Sequence, residues 1–308
     1  MAASVQRINA AASCQTSWLP RSLVSSGSSK SHPKGNRLMS SKMQGAQNPE
    51  GVAPTTASGA ESSKTKRKIF VAGATGSTGK RIVELLISKG FHVKAGVRNV
   101  EKAKSIFAKD LPSLKIVKAD VTDGAAKLAD AIGEDSDAVV CATGFRPGFD
   151  VFAPWKIDYS GTINLVEACR SISVNRFILV SSILVNGAAM GQILNPAYIF
   201  LNVFGLTLIA KLQAEKYIRK SGINYTIVRP GGLKNDPPTG NLVMEPEDTL
   251  SQGNISRDTV AEVAVEALDC ADSSYKVVEI VSRSDAPPRS IPELFHALHE
   301  KGAKGTGN

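Results

Sequence analysis

Gly73, Gly76 and Gly79 stand three residues apart in Gly-Ala-Thr-Gly-Ser-Thr-Gly. That spacing suits one task, holding a phosphate against bare backbone. Gly73 permits a tight turn, Gly76 leaves no side chain between the backbone and a pyrophosphate, and Gly79 lets a following helix pack on a preceding strand. Thr75, Ser77 and Thr78 complete the turn as further candidate contacts. Arg98 is the next candidate. An Asp or Glu ending the second strand would accept from the ribose 2′-hydroxyl of NAD, whereas an arginine there suits the 2′-phosphate of NADP. A charge-assisted hydrogen bond of about 1.5–3 kcal/mol gives a preference of tenfold or more. NADP(H) is therefore the predicted cofactor. The alternative is a purely structural turn with Arg98 an exposed strand-end residue.

These residues need a strand, a turn and a helix in immediate succession, and the flanking sequence supplies them. Ile69, Phe70 and Val71 suit a strand buried on both faces. Ile82, Val83, Leu85, Leu86 and Ile87 follow at helical spacing, and Lys89-Gly90 closes the helix. The helix N-terminus offers unpaired N–H groups to an anion. Strand-like and helix-like segments then alternate. Strands are predicted at 91–98, 114–121, 138–144, 176–182, 225–232 and 275–281. Helices are predicted at 100–110, 124–132, from 157, through Lys211, from 256 and at 290–299. The expectation is an α/β fold, a doubly wound parallel sheet in one domain over 66–300. Residues 233–253 would form a small C-terminal lobe on the substrate side, and 301–308 a disordered tail.

From about 66 to about 300 the chain resembles the atypical short-chain dehydrogenase/reductases of the NADPH-binding group. That group includes biliverdin IX-beta/flavin reductase, the Rossmann subunit of the chloroplast inner-envelope translocon and similar plant chloroplast proteins. The GxxGxxG turn, the segment from Ser181-Ser182 to Lys211, and Tyr225-Thr-Ile-Val-Arg-Pro-Gly-Gly232 carry the resemblance. It implies that Asp120-Val121 meets the adenine, and that Ala142, Thr143 and Gly144 lie beside the cofactor ribose. Pro230, Gly231 and Gly232 would line the nicotinamide. It also implies that Ser182, with Ser181 beside it, holds a substrate carbonyl, and that Lys211 binds the nicotinamide ribose. The residues alone also allow a loop-capping Asp120 and two ordinary strand-end serines. Two positions depart from the family pattern. Asp158 stands where many members carry the asparagine of their catalytic tetrad, and Thr207 stands four residues before Lys211 where a tyrosine usually donates the proton. A threonine hydroxyl has too high a pKa to replace a phenol easily. Tyr217, six residues after Lys211, lies on another part of the helix. Ser182 and Lys211 remain the candidate catalytic residues, with Lys211 retained for the cofactor.

The 308 residues carry 37 Lys+Arg against 28 Asp+Glu, a formal +9. Residues 1–68 hold ten basic and two acidic side chains, so eight of the nine surplus charges lie there. The remainder is nearly neutral, which argues against a nucleic-acid partner. No acid precedes Glu50, serine and alanine abound, and no continuous apolar core is present. This is the composition of an organellar transit peptide, leaning to chloroplast, followed by a flexible linker to about residue 65. An attached disordered tail is the alternative. Cys141, Cys169 and Cys270 lack C-x-x-C spacing, so neither a disulfide framework nor a zinc site is expected. His296 and His299 have no third ligand, and no metal is predicted. No apolar run approaches the roughly 18 residues of a membrane span.

Residues 198–210 are unusually apolar for an active-site helix. They are open to three readings: core, an apolar substrate pocket, or a surface that touches membrane or lipid. Two functions follow. One is an NADPH-dependent reductase of an apolar or conjugated small-molecule acceptor such as a quinone, flavin, tetrapyrrole-like compound or carbonyl. The other is a non-catalytic NADP(H)-sensing scaffold in the stroma, at a thylakoid, envelope or plastoglobule surface.

Overall fold

Lys68–Ala72 forms β1, and its alternating side chains enter two different cores. Ile69 and Val71 pack with Ile82, Val83 and Leu86, while Phe70 and Ala72 pack with Leu128, Leu165 and Ile218. A strand apolar on both faces must be covered on both, which is why helices flank the sheet on each side. Ile69, Phe70 and Val71 each contribute about 1.5–3 kcal/mol on full burial. The computed structural model describes residues 66–305 except 108–110, 145–149 and 204, with side chains to Leu298. The chain divides between Glu61 and Ser62, and all that is described belongs to the second unit. The expected transit peptide and linker, 1–65, lie outside the described residues.

The elements follow as α1 (Ser77–Ser88), β2 (His92–Val97), α2 (Val100–Ile106), β3 (Leu114–Lys118), α3 (Ala125–Ile132) and β4 (Ala138–Cys141). Then come α4 (Gly161–Ser171), β5 (Arg176–Val180), α5 (Pro196–Val203), α6 (Thr207–Lys220) and β6 (Asn224–Pro230). The chain ends with β7 (Gly232–Lys234), β8 (Asn241–Pro246), β9 (Asn254–Ser256), α7 (Arg257–Glu266), β10 (Lys276–Arg283) and α8 (Ile291–Gly305). The sheet order is β3-β2-β1-β4-β5-β6-β10-β9-β7, with β8 also on β10. All pairs from β3 to β10 through β6 are parallel, whereas β8 and β9 run antiparallel to β10. This is the doubly wound arrangement, with its switch point between β1 and β4.

Several boundaries differ from expectation. β3 stops at Lys118, and Asp120-Val121 leads into a 3₁₀ turn (Val121–Asp123), because the Asp120 carboxylate accepts from the Thr122 N–H at 3.0 Å. β4 and β5 end at Cys141 and Val180, which leaves the expected site residues beyond them as loop. α8 continues to Gly305, where a tail was expected from 301, and 306–308 lie outside the described residues. No proline or β-branched residue interrupts 301–305. The segment 233–253 joins the main sheet as its far edge through β8 and the pairing of β7 with β9.

Residues 198–210 divide at a sharp bend. Gly205 (φ +89°) and Leu206 (φ +58°) are both left-handed, and a Cβ on Gly205 would lie 2.0 Å from the Val151 carbonyl oxygen. Beyond the bend Thr207, Leu208 and Ala210 are buried core, whereas α5 before it has no buried residue. α6 is fixed by ion pairing. Arg229 on β6, 1% exposed, bonds Glu215 of α6 at 2.6 Å, Glu279 of β10 at 3.2 Å and Asp248 at 2.8 Å. Glu279 also accepts from the N–H groups of Asp248, Thr249 and Leu250. No buried charge in this group is left without a partner, which is the condition for tolerating it.

Candidate functional site

The glycine turn follows directly from β1. Gly73 has φ +75°, and a Cβ there would lie 2.9 Å from the Ala142 carbonyl oxygen, so the turn runs hard against the end of β4. A Cβ on Gly79 would lie 2.2 Å from the Gly73 oxygen, which presses the first turn of α1 against the loop. At Gly76 the nearest neighbour would be the Gly73 oxygen at 3.1 Å. No side chain caps α1, and its first turn holds no acid. The helix therefore presents its first N–H groups to a cavity lined by Gly76, Ser77 and Thr78, a combination that suits a pyrophosphate. The bare backbone at Gly76, which a Cβ would fill, is the observation by which the dinucleotide fits.

A smaller cavity of about 300 Å³ lies beside the turn, beyond the ends of β2 and β3. Arg98, Asp120, Val121, Thr75 and Gly73 line it, as do Ala142, Thr143 and Gly144, which also line the larger cavity. The Asp120 carboxylate accepts from both the N–H and the hydroxyl of Thr122, so it caps its turn while lining the slot. Val121 is held by Asn164, which donates to its carbonyl at 2.9 Å, and by Gly161, where a Cβ would meet Val121 Cγ2 at 2.6 Å. Lys102 joins the same cavity, unanticipated from the sequence. Asn99 caps α2 by accepting from the Lys102 N–H at 2.9 Å, which sets Lys102 one turn beyond Arg98. Neither Arg98 nor Lys102 forms an ion pair among the described residues. The spacing Arg98-x-x-x-Lys102 at a helix start was a signal that could have revealed it. Residues 145–149, which follow Gly144, lie outside the described residues.

The larger cavity, about 1400 Å³, brings together Ser181, Ser182, Thr207, Lys211, Pro230, Gly231 and Gly232. Gly231 donates to the Ile280 carbonyl and Gly232 to that of Gly253, and a Cβ on Gly231 would lie 2.6 Å from the Gly253 oxygen. The Ser181 hydroxyl is committed, donating to buried Glu215 at 2.6 Å. Lys211 Nζ pairs with Asp158 Oδ1 at 2.6 Å, with side chains 15% and 1% exposed. Asp158 lies in a π-helical stretch, Trp155–Ser160, that leads into α4. Burial alone would lower the Lys211 pKa, but the charge and hydrogen bond of Asp158 outweigh it and the value is raised. Tyr217 is turned away, donating to Glu167 on α4 at 2.7 Å. Asn195, Leu201, Arg257 and Arg283 also line this cavity. They come from distant segments, and no local pattern could have assembled them.

The fold and cradle define a doubly wound dinucleotide-binding protein. Residues 73–271 match the NAD(P)H-binding family model, and the chain belongs to that family. The resemblance to atypical short-chain dehydrogenase/reductases holds, and NAD(P)H is the cofactor of the family. An uncharacterised chloroplastic protein of Arabidopsis thaliana is 74% identical over 239 residues, covering 78% of this chain and 85% of that one. The chloroplastic Protein TIC 62 of Pisum sativum is 38% identical over 256 residues, 76% of this chain and 46% of its own. The chain thus spans less than half the length of that relative. A crystal structure of an oxidoreductase from Lactococcus lactis superposes with a TM-score of 0.60 at 27% identity, covering 76% of this chain and 97% of the other.

Proposed function

We propose that the chain is an NADPH-dependent reductase of an apolar or conjugated small-molecule acceptor, a quinone, flavin, tetrapyrrole-like compound or carbonyl, in the chloroplast. One observation carries the reading. The cavity above the glycine turn continues past Ser182 and Lys211 to Leu184, Leu201 and Leu233, so it has room beyond the cofactor for an apolar acceptor. NADPH, when bound, supplies a hydride. Lys211, kept charged by Asp158, would hold the nicotinamide ribose hydroxyls and stabilise negative charge developing on the acceptor. Ser182 would donate to a polar atom of the acceptor. Thr207 is too weak an acid to protonate it, so the proton comes from water. A conjugated acceptor tolerates this because it delocalises charge until protonation. Arg98 and Lys102 would favour the 2′-phosphate of NADPH. The chloroplast assignment draws on the N-terminal composition and on the names of the relatives. The test is NADPH oxidation by the full chain across quinone, flavin and conjugated carbonyl acceptors. Protein that binds NADPH yet turns over with none of them would sink the reading.

A second reading, an NADP(H)-sensing scaffold on a thylakoid, envelope or plastoglobule surface, has its own support. Leu194 is 85%, Phe200 62% and Val203 65% exposed, and no Asp, Glu, Lys or Arg occurs between Ser182 and Lys211. So continuous an apolar surface favours a lipid contact. Among the described residues no single helix is long and apolar enough to cross a membrane. Flotation with vesicles of chloroplast-membrane lipids, at NADPH-rich and NADP⁺-rich ratios, tests it. Recovery indifferent to the ratio would remove the sensing role.

A further inference from the structure

Building on the reductase reading, we infer that the acceptor carries an anionic group, a phosphate or carboxylate, held by Arg283 with Arg257. The cavity has two chemically different walls. Leu184, Pro196, Leu201 and Leu233 make an apolar one, suited to a conjugated ring. Arg257, Arg283 and Asp285 supply charge. The register of the sheet locates Arg283. β10 runs parallel to β6 with Ile280 opposite Pro230, and Arg283 lies three residues further along. At about 3.3 Å per residue it stands about 10 Å beyond the start of the turn that would line the nicotinamide. An acceptor ring lying against the nicotinamide would therefore reach Arg283 only through a tail.

The charge balance favours an anion at the end of that tail. Lys211 is matched by Asp158, so the pair adds no net charge to the cavity as a whole. Of the remaining groups two are guanidiniums and one is a carboxylate. Arg283 is exposed, and neither it nor Asp285 takes part in an ion pair among the described residues. Arg257 is oriented by donating to the Leu233 carbonyl at 3.3 Å and to Asn235 Oδ1 at 2.9 Å. These two bonds, both from Nη1, set the direction of the guanidinium, and guanidiniums recognise phosphate and carboxylate through a planar edge.

The experiment uses the full chain saturated with NADP⁺, so that binding is measured without turnover. FMN and riboflavin share a ring and differ in the phosphate. A naphthoquinone with a carboxylate side chain and its methyl ester differ in the same way for a carboxylate. The charged member of at least one pair should bind about tenfold tighter than its neutral partner. R283A should bring that pair within twofold, and D285N should widen the gap. Which pair shows the effect tells phosphate from carboxylate. NADP⁺ affinity of R283A should move less than twofold, and a larger fall would reassign Arg283 to the cofactor and overturn the inference. Equal binding of charged and neutral probes, or a difference that R283A leaves intact, would also overturn it. NADPH-dependent reduction of the same probes separates the two levels. Turnover without charge discrimination defeats only the anion subsite, whereas no turnover with any probe defeats the reductase reading and the subsite with it.

Discussion

Lys211 and Asp158 decide what the inner end of the site can do, because the position that usually carries a neutral amide here carries a charge. The raised Lys211 pKa has a definite sign. Its stabilising contribution is fully present below the ordinary lysine value, about 10.4, and is lost as pH rises through the higher folded value. D158N removes the attraction and leaves the burial, so the Lys211 pKa should fall and amine-directed acylation should begin at lower pH. Mass spectrometry of labelled Lys211 against pH reads this, and superimposable profiles would refute it. The same change should cost about 1.5–3 kcal/mol of stability. Arg98 and Lys102 make a second residue-scale case. R98E and K102E should each weaken NADPH binding about tenfold or more while NADH binding changes little. Parallel losses for both nucleotides would mean that neither side chain reads the 2′-phosphate. Arg98 was legible as a cavity residue because a strand end is a local feature. Lys102 was not, because its place in the same cavity depends on the Asn99 cap that starts α2 beside it.

At the scale of elements, the turn between β1 and α1 separates space for a ligand from space for packing. G76A meets its nearest neighbour at 3.1 Å, so the backbone adjusts slightly while the methyl enters the phosphate cradle. NADPH affinity should drop about tenfold or more with little change in melting temperature. G79A meets the Gly73 oxygen at 2.2 Å and should instead destabilise the fold by about 1–3 kcal/mol. Calorimetry beside NADPH titration distinguishes the two, and equal effects on stability would show that the turn is not divided in this way. The strand-turn-helix unit was readable because its hydrophobic period changes within a few residues. The ends of β3, β4 and β5 were not, since apolar runs continue past the last ladder hydrogen bond. The run 198–210 was ambiguous for a related reason. Composition cannot locate the bend at Gly205-Leu206 that sends one half to the surface and the other to the core.

For the whole molecule, the buried network around Arg229 connects the sheet to the helix that carries Lys211. R229M leaves Glu279 buried without a cation and Glu215 with only the longer contact to Arg219 at 3.9 Å, and should cost about 3–5 kcal/mol. For a domain of this size that corresponds to a fall in melting temperature of about 6–20 °C. Adding E215Q and E279Q should recover part of the loss, and no recovery would show that the network stabilises through packing alone. The amino-acid sequence by itself determined the doubly wound class, the glycine cradle and the cation at the end of β2. Each of these rests on a local pattern in which neighbouring residues share one element. Tertiary structure alone decided that Asp158 pairs with Lys211, that Ser181 is committed to Glu215, and that Arg257 and Arg283 share a cavity with Lys211. Those partners lie between 26 and 72 residues from one another in pairs such as Arg257–Arg283 and Lys211–Arg283. Only the crossover connections of the sheet bring such distant segments to the same carboxyl edge, and no local periodicity records that meeting.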